Sequence, residues 1–183
     1  MSAHGRSRVA GVGVMAILAA LFLFNLVWIV RNGDQLRPVV SGTRAPDFDL
    51  PRHGGGRERL SAHRGQVVLL SFWASWCGPC IKEMPHIVEL ERRLRERGFL
   101  VLAINIEGNP EKIDRTRADV PAARKLTVLR DADGDAARRY GVQTLPHLVV
   151  VGRDGTTAFV HSGGKHFERV VRAVEQAVAA PRR

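Results

Sequence analysis

With 183 residues, 45% of them hydrophobic and 25% charged, the chain has apolar material for one ordinary globular domain plus a short appendage, and a second large domain does not fit. Its 28 Lys+Arg against 18 Asp+Glu give a net charge of +10. The charge is scattered and has no aromatic-interleaved basic motif, so no nucleic-acid partner is expected, although anionic headgroups would suit it. Two cysteines three positions apart exclude a disulfide-stapled small fold, because so short a loop barely restrains the unfolded chain.

Residues 1–8 read as an N-terminal tail. Val9 to Val30 has Asn25 as its only conventionally polar side chain, and as a helix it would extend about 33 Å, enough to cross a bilayer. A cleavable signal has an apolar core of about 7–15 residues before a small-x-small site; here the segment continues through Val27-Trp28-Ile29-Val30 into Arg31. It reads as an uncleaved transmembrane anchor. Arg6 and Arg8 on one side against Arg31, Arg37 and Arg44 on the other give no positive-inside bias. Residues 31–44 lack an apolar period and read as a tether, so the folded domain is expected over residues 45–183.

Within the domain, Val67 to Phe72 is an apolar run suited to a buried strand, and Cys77 opens a helical stretch that stops at Gly98. Glu89 and Glu91 stand four before Arg93 and Arg95, the pattern of a solvated helix face. Leu100 to Ile106 is a second buried strand. Strand, helix and strand of these lengths make a βαβ unit with a parallel pair, whose first strand delivers the cysteines to the helix N-terminus. A helix over Pro110 to Ala118, a strand at Thr127 to Leu129 and a helical turn from Asp135 to Tyr140 follow. Leu148 to Val151 and Ala158 to His161 flank Arg153-Asp154-Gly155, where the Asp-Gly pair would supply the positive φ angles of a tight hairpin. After Gly163-Gly164, Phe167, Val170, Val171, Val174 and Val178 recur at helical spacing up to Ala180.

The chemistry lies in Cys77-Gly78-Pro79-Cys80. Cysteines at i and i+3 at a helix start can close a small ring while the first sulfur stays at the exposed helix end. Uncapped amides and the positive end of the dipole stabilise a thiolate there, and the thiolate is the species that attacks a disulfide. Half of a zinc site or a pair of inert thiols are the plainer alternatives; zinc needs about four ligands, and no second cysteine pair or His-x3-His spacing is present.

The segment Phe72-Trp73-Ala74-Ser75-Trp76-Cys77-Gly78-Pro79-Cys80 resembles the active-site segment of the thioredoxin superfamily. Ala45-Pro46-Asp47-Phe48-Asp49-Leu50, Gly65-Gln66-Val67-Val68-Leu69-Leu70 and Tyr140-Gly141-Val142-Gln143-Thr144-Leu145-Pro146 extend the resemblance, over about Ala45 to Ala180, to the membrane-tethered bacterial TlpA/ResA/CcmG-like thiol-disulfide oxidoreductases.

The resemblance implies a thioredoxin-like α/β fold, a central mixed sheet with helices on both faces, tethered by one N-terminal transmembrane helix. It implies a cis proline at Pro146 lying against the active-site disulfide, with Leu145 offering its backbone to a substrate strand. It also assigns a helix-kinking role to Pro85, and Trp76, Gly78 and Pro79 are the further candidate substrate contacts. Two departures stand out. Ser71 replaces the buried Asp that thioredoxin carries six residues before the first cysteine, while Glu83 stands three after Cys80. On a helix that spacing shares one face, so Glu83 can exchange the proton of the buried thiol directly or through a water. His147 follows the proline where the family commonly has Thr, either tuning substrate binding or serving as a plain strand residue.

The expected activity is thiol-disulfide exchange with no cofactor and no metal: Cys77 attacks a protein disulfide and Cys80 resolves the mixed disulfide. The Gly-Pro dipeptide is shared with thioredoxin, poised at about −270 mV against about −120 mV for DsbA, which favours a reductant. By resemblance the clients would be apocytochrome c or copper-site cysteines, with electrons from a membrane thiol-reducing donor and the domain on the outer side of a bacterial inner membrane. A copper-delivery protein and a thiol oxidase or isomerase are the rival readings.

Overall fold

The computed structural model describes residues 5–32 and 39–181; residues 1–4 of the expected tail, 33–38 of the expected tether and 182–183 lie outside the described residues. The chain divides into two compact units, Met1–Arg37 and Pro38–Arg183.

The described residues of the first unit form one helix, α1 (Gly5–Asn32). Asn25 Nδ2 donates to Leu21 O at 2.9 Å, satisfying the polar side chain one turn back. Among the described residues, no helix is long and apolar enough to cross a membrane. This corrects what rested on the Val9–Val30 reading: the transmembrane helix in the fold class, the signal-anchor, the membrane as a partner through that helix, and the single-pass inner-membrane placement. That reading rested on the apolar run of the sequence alone; what overturns it is that no helix among the described residues combines the length and the apolar character of a membrane span.

In the second unit the chain ahead of Ala45 is already hydrogen-bonded. Gly42 N–H donates to Thr157 O at 2.7 Å, Thr157 N–H to Thr43 O at 2.7 Å, and Ala45 N–H to Gly155 O at 3.0 Å. A hairpin of two short strands, β1 (Asp49–Pro51) and β2 (Arg57–Arg59), follows. Then come β3 (Val67–Trp73), α2 (Gly78–Leu94), β4 (Phe99–Asn105), α3 (Pro110–Asp119), β5 (Thr127–Arg130), α4 (Asp135–Arg139), β6 (His147–Val151), β7 (Thr157–Ser162) and α5 (Phe167–Ala179). The main sheet has the order β5-β4-β3-β6-β7, with β3, β4 and β5 parallel and β6 and β7 antiparallel to their neighbours. This is the thioredoxin-like α/β fold with a mixed sheet that the resemblance implies.

Alternation along β3 divides the core. Val67, Leu69 and Trp73 face Met84, Ile87 and Leu90 of α2 and Val170, Val174 and Val178 of α5, the last three being an i, i+4, i+8 stripe. Val68, Leu70 and Phe72 face Phe48 and Leu50, Ala136 of α4 and Tyr140. All seven residues of β3 are buried, as a central strand covered on both faces requires.

Local chemistry sets the ends of the elements. Asn109 caps α3 by accepting from Lys112 N–H at 3.1 Å, and Pro110 occupies the first turn. The α2 segment ends in a tight turn at Arg95–Arg97, closed by Gly98 in the left-handed conformation at φ 80°. Glu91 departs from the solvated face expected of it: it is 7% exposed, and its Oε1 accepts Val101 N–H at 3.1 Å. The β6–β7 turn also differs from expectation. Only Gly155 has positive φ, at 79°, while the Asp154 carboxylate accepts from Thr156 N–H and Oγ1–H at 2.9 and 2.7 Å and so shapes a longer loop over residues 152–156.

Both margins of the sheet carry upstream chain. His53 N–H donates to Val128 O at 2.8 Å beside an Arg52–Leu129 bridge on β5, and an Arg44–Thr156 bridge adjoins the start of β7.

Candidate active site

Beyond Trp73 the chain leaves the sheet in a turn, with Cys77 N–H donating to Ala74 O at 3.1 Å. Cys77 is the N-cap of α2, and its Sγ accepts the Cys80 N–H at 3.2 Å. Gly78 and Pro79 fill the first turn, where Pro lacks only an N–H that has no helical partner. Cys77 and Cys80 form a disulfide with S–S 2.02 Å and Cα–Cα 5.3 Å. Cys77 is 4% exposed and Cys80 3%, so the first cysteine is at the helix end as expected but more enclosed than expected; Gly78, Pro79 and Trp76 are the exposed part of the motif. No acidic residue stands in the first turn of α2, which leaves its positive end uncompensated from within the helix.

One turn below Cys80, Glu83 lies on the buried face of α2, 7% exposed, and neither carboxyl oxygen has a hydrogen-bond partner. Burial pushes its pKa up to about 7. Ser71, also buried, is in phase with Leu69 and Trp73 on the α2 side of β3. Pro85 stands inside α2, where it has no N–H to give to the Ile81 carbonyl.

The Leu145–Pro146 peptide is cis. Leu145 N–H and C=O have no hydrogen-bond partner among the described residues. Pro146 O accepts Gly163 N–H at 2.8 Å, and a Cβ placed on Gly164 would lie 2.7 Å from Pro79 Cβ and 3.9 Å from Pro146 Cδ. The loop after β7 thus joins the Cys-Gly-Pro-Cys turn to the proline segment. His147 is buried and in hydrogen-bond contact with Ser162, Nδ1 to Oγ 2.8 Å. Burial, then the charge of His161, lowers its pKa.

Glu107 and Gly164 were not singled out in the sequence. Glu107 Oε2 accepts Ser75 N–H at 2.6 Å and Oε1 accepts from Lys112 Nζ at 2.7 Å. Burial raises its pKa, but the hydrogen bonds from Lys112 and Ser75 outweigh this and hold it below the usual carboxylate value. Its position just past a predicted parallel strand was an available signal, since sites in such sheets gather at the strand carboxyl ends. Among the described residues, no group of three or more His, Cys, Asp and Glu side chains could hold a metal ion.

A redox-closed cysteine pair at a helix N-terminus, on a thioredoxin-like sheet, defines a thiol-disulfide oxidoreductase of the thioredoxin superfamily. The profile of the AhpC/TSA family matches residues 41–160, and the chain belongs to that family. It is related to ResA- and DsbE-like proteins: it is 31% identical over 137 residues to the thiol-disulfide oxidoreductase ResA of Geobacillus kaustophilus, covering 75% of this chain and 78% of that one. The ResA of Bacillus subtilis is 26% identical over 151 residues, covering 82% of each chain. In structure it is similar to a Chlorobium tepidum protein of the DsbE thiol:disulfide interchange type, with TM-score 0.72 and 33% identity over 77% of this chain and 99% of that one.

Proposed function

We propose that residues 45–183 act as a reductant of protein disulfides in which Cys77 attacks, Cys80 resolves and Glu83 handles the proton of Cys80. The observation that carries this reading is the buried, unpartnered Glu83 carboxyl one helical turn from the enclosed cysteine of the Cys77–Cys80 pair.

In the reduced protein, Cys77 thiolate, favoured by the positive end of α2, attacks one sulfur of a client disulfide. A Cys77–client bond forms and the other client sulfur leaves as thiolate. Cys80 then loses its proton to the Glu83 carboxylate and attacks Cys77 Sγ, which breaks the mixed disulfide and expels the second client thiolate. The client gains two electrons and, with two protons, becomes a dithiol; the protein is left as the Cys77–Cys80 disulfide, and an external dithiol returns it to the reduced state. A carboxyl group titrating near 7 suits an acceptor that must take and release a proton at neutral pH. Trp76, Gly78, Pro79, Leu145 and Pro146 form the client surface, with the unpaired Leu145 backbone available to an extended client segment.

Cys80→Ala should accumulate mixed disulfides with a disulfide-bonded protein, and Cys77→Ala should not. Equal trapping by the two variants would refute the division of roles.

A further inference from the structure

The first residue of β6 and the last residue of β7 face each other: His147 pairs with Ser162 in the terminal rung of the β6–β7 ladder. Directly opposed residues of an antiparallel pair project to the same face, and here their side chains meet, His147 Nδ1 to Ser162 Oγ at 2.8 Å. The imidazole is 4% exposed and packs edge-on to Phe72, with ring centroids 5.8 Å apart at 69°. Its Nε2 has no side-chain partner and the ring interacts otherwise with the Tyr140 backbone, so Ser162 is the one side chain that its ring engages in hydrogen bonding among the described residues. One step beyond this rung, Gly163 N–H reaches Pro146 O at 2.8 Å. One step further, Gly164 leaves no room for a Cβ against Pro79. His161 Nε2, 2.6 Å from Lys165 O, closes the same loop from its other side.

We propose that the His147–Ser162 pair is a positioning element that sets the width of the client groove by holding the Pro146 and Gly163 backbones together. The ends of a ladder are where strands fray. At this end the neighbouring backbone is the surface that receives the client, so a side-chain tie at the terminal rung fixes the loop over Pro79 without touching either sulfur. The proposal rests on the reading of Leu145–Pro146 as client-binding backbone, and it makes His147 and Ser162 determinants of client affinity rather than of thiol reactivity.

The test uses the full chain with Ser162→Ala, which removes the hydroxyl of an exposed residue and spares the buried ring, and Ser162→Thr, which keeps the hydroxyl. Three readouts are taken: amide hydrogen exchange at Gly163, reduction of a synthetic peptide with one intramolecular disulfide, and reduction of the small disulfide 5,5′-dithiobis(2-nitrobenzoate). In Ser162→Ala, Gly163 exchange should accelerate and the half-saturating peptide concentration should rise about 2- to 10-fold, the range set by one hydrogen bond. Turnover at saturation, the small-disulfide rate and the Cys77–Cys80 reduction potential should hold, and Ser162→Thr should restore the wild-type values. Unchanged Gly163 exchange, or an equal loss on peptide and small disulfide, would overturn the proposal. A wild-type protein that reduces the small disulfide but not the peptide would instead overturn the client reading, while Gly163 exchange still judges the pair.

Discussion

Ser75 donates its backbone N–H to Glu107 Oε2 at 2.6 Å, so the loop that presents Trp76 and Cys77 is tied to the end of the neighbouring strand β4. Glu107→Ala leaves that N–H without its acceptor and should cost about 1–3 kcal/mol of stability, whereas Glu107→Gln keeps an acceptor and should cost less; chemical denaturation measures both. The Glu107 carboxyl is held below 4.5 in the folded state, so its contribution is present above the unfolded pKa and lost as pH falls through the folded one. Wild type should therefore lose more stability than Glu107→Gln on acidification below pH 4.5. Parallel acid curves would remove Glu107 from the charge balance of the loop.

Glu83 has the opposite sign. Its folded pKa of about 7 lies above its ordinary 4.5, so the folded state holds a proton that the unfolded chain has already lost. The Glu83 contribution to stability is largest below pH 4.5 and falls as pH rises through 7, by up to about 3 kcal/mol for a shift of this size. Glu83→Gln does not titrate. Denaturation midpoints of the oxidised protein taken between pH 5 and pH 8 should fall more in wild type than in the variant; curves that run parallel would leave Glu83 an ordinary helix carboxylate.

Gly164 has an ordinary backbone angle, so a side chain is excluded there by contact alone: the added Cβ would meet Pro79 Cβ at 2.7 Å. Gly164→Ala should leave the domain folded, because the residue is exposed, but displace the loop or the Cys-Gly-Pro-Cys turn. Reduction of a protein disulfide should slow by about tenfold or more, within the range for sub-ångström to ångström misplacement of reacting groups. Circular dichroism and a disulfide-reduction assay separate the two effects.

Asp131, 0% exposed, accepts Ala136 N–H at 3.1 Å and Ala137 N–H at 2.8 Å, taking two orphan donors at the start of α4. Asp131→Ala should lower stability by about 1–2 kcal/mol, as loss of a cap does, and reduce the melting temperature without altering the Cys77–Cys80 potential.

The parts legible in the sequence were those whose signal is local. The run Val67 to Phe72, the cysteine spacing at a helix start and the valine stripe at Val170, Val174 and Val178 each declare themselves within a few residues, and the structure builds β3, α2 and α5 from them. The β1–β2 hairpin went unseen because strands of three residues each are too short to show a period. Glu107 and Ser162 owe their roles to partners 32 and 15 positions away, which no local pattern encodes. In Asp154-Gly155 the dipeptide was visible, yet the Asp side chain fastened Thr156 instead of taking a left-handed angle. The apolar run at the amino terminus was the most conspicuous pattern in the chain, and the anchor read from it is the one element of the fold class that did not stand.

The upstream segments that lie along the two outermost strands have a protective consequence. An outer strand with open amides is a template for any extended chain that drifts past, and a protein acting on opened protein disulfides, as proposed above, would meet such chains as its ordinary work. With Arg52–His53 laid on β5 and Gly42–Arg44 laid on the start of β7, parts of both rims are already occupied by the protein's own backbone. Adhesion is discouraged at those places, and a client that binds there less readily is freer to dissociate once its sulfurs have been exchanged.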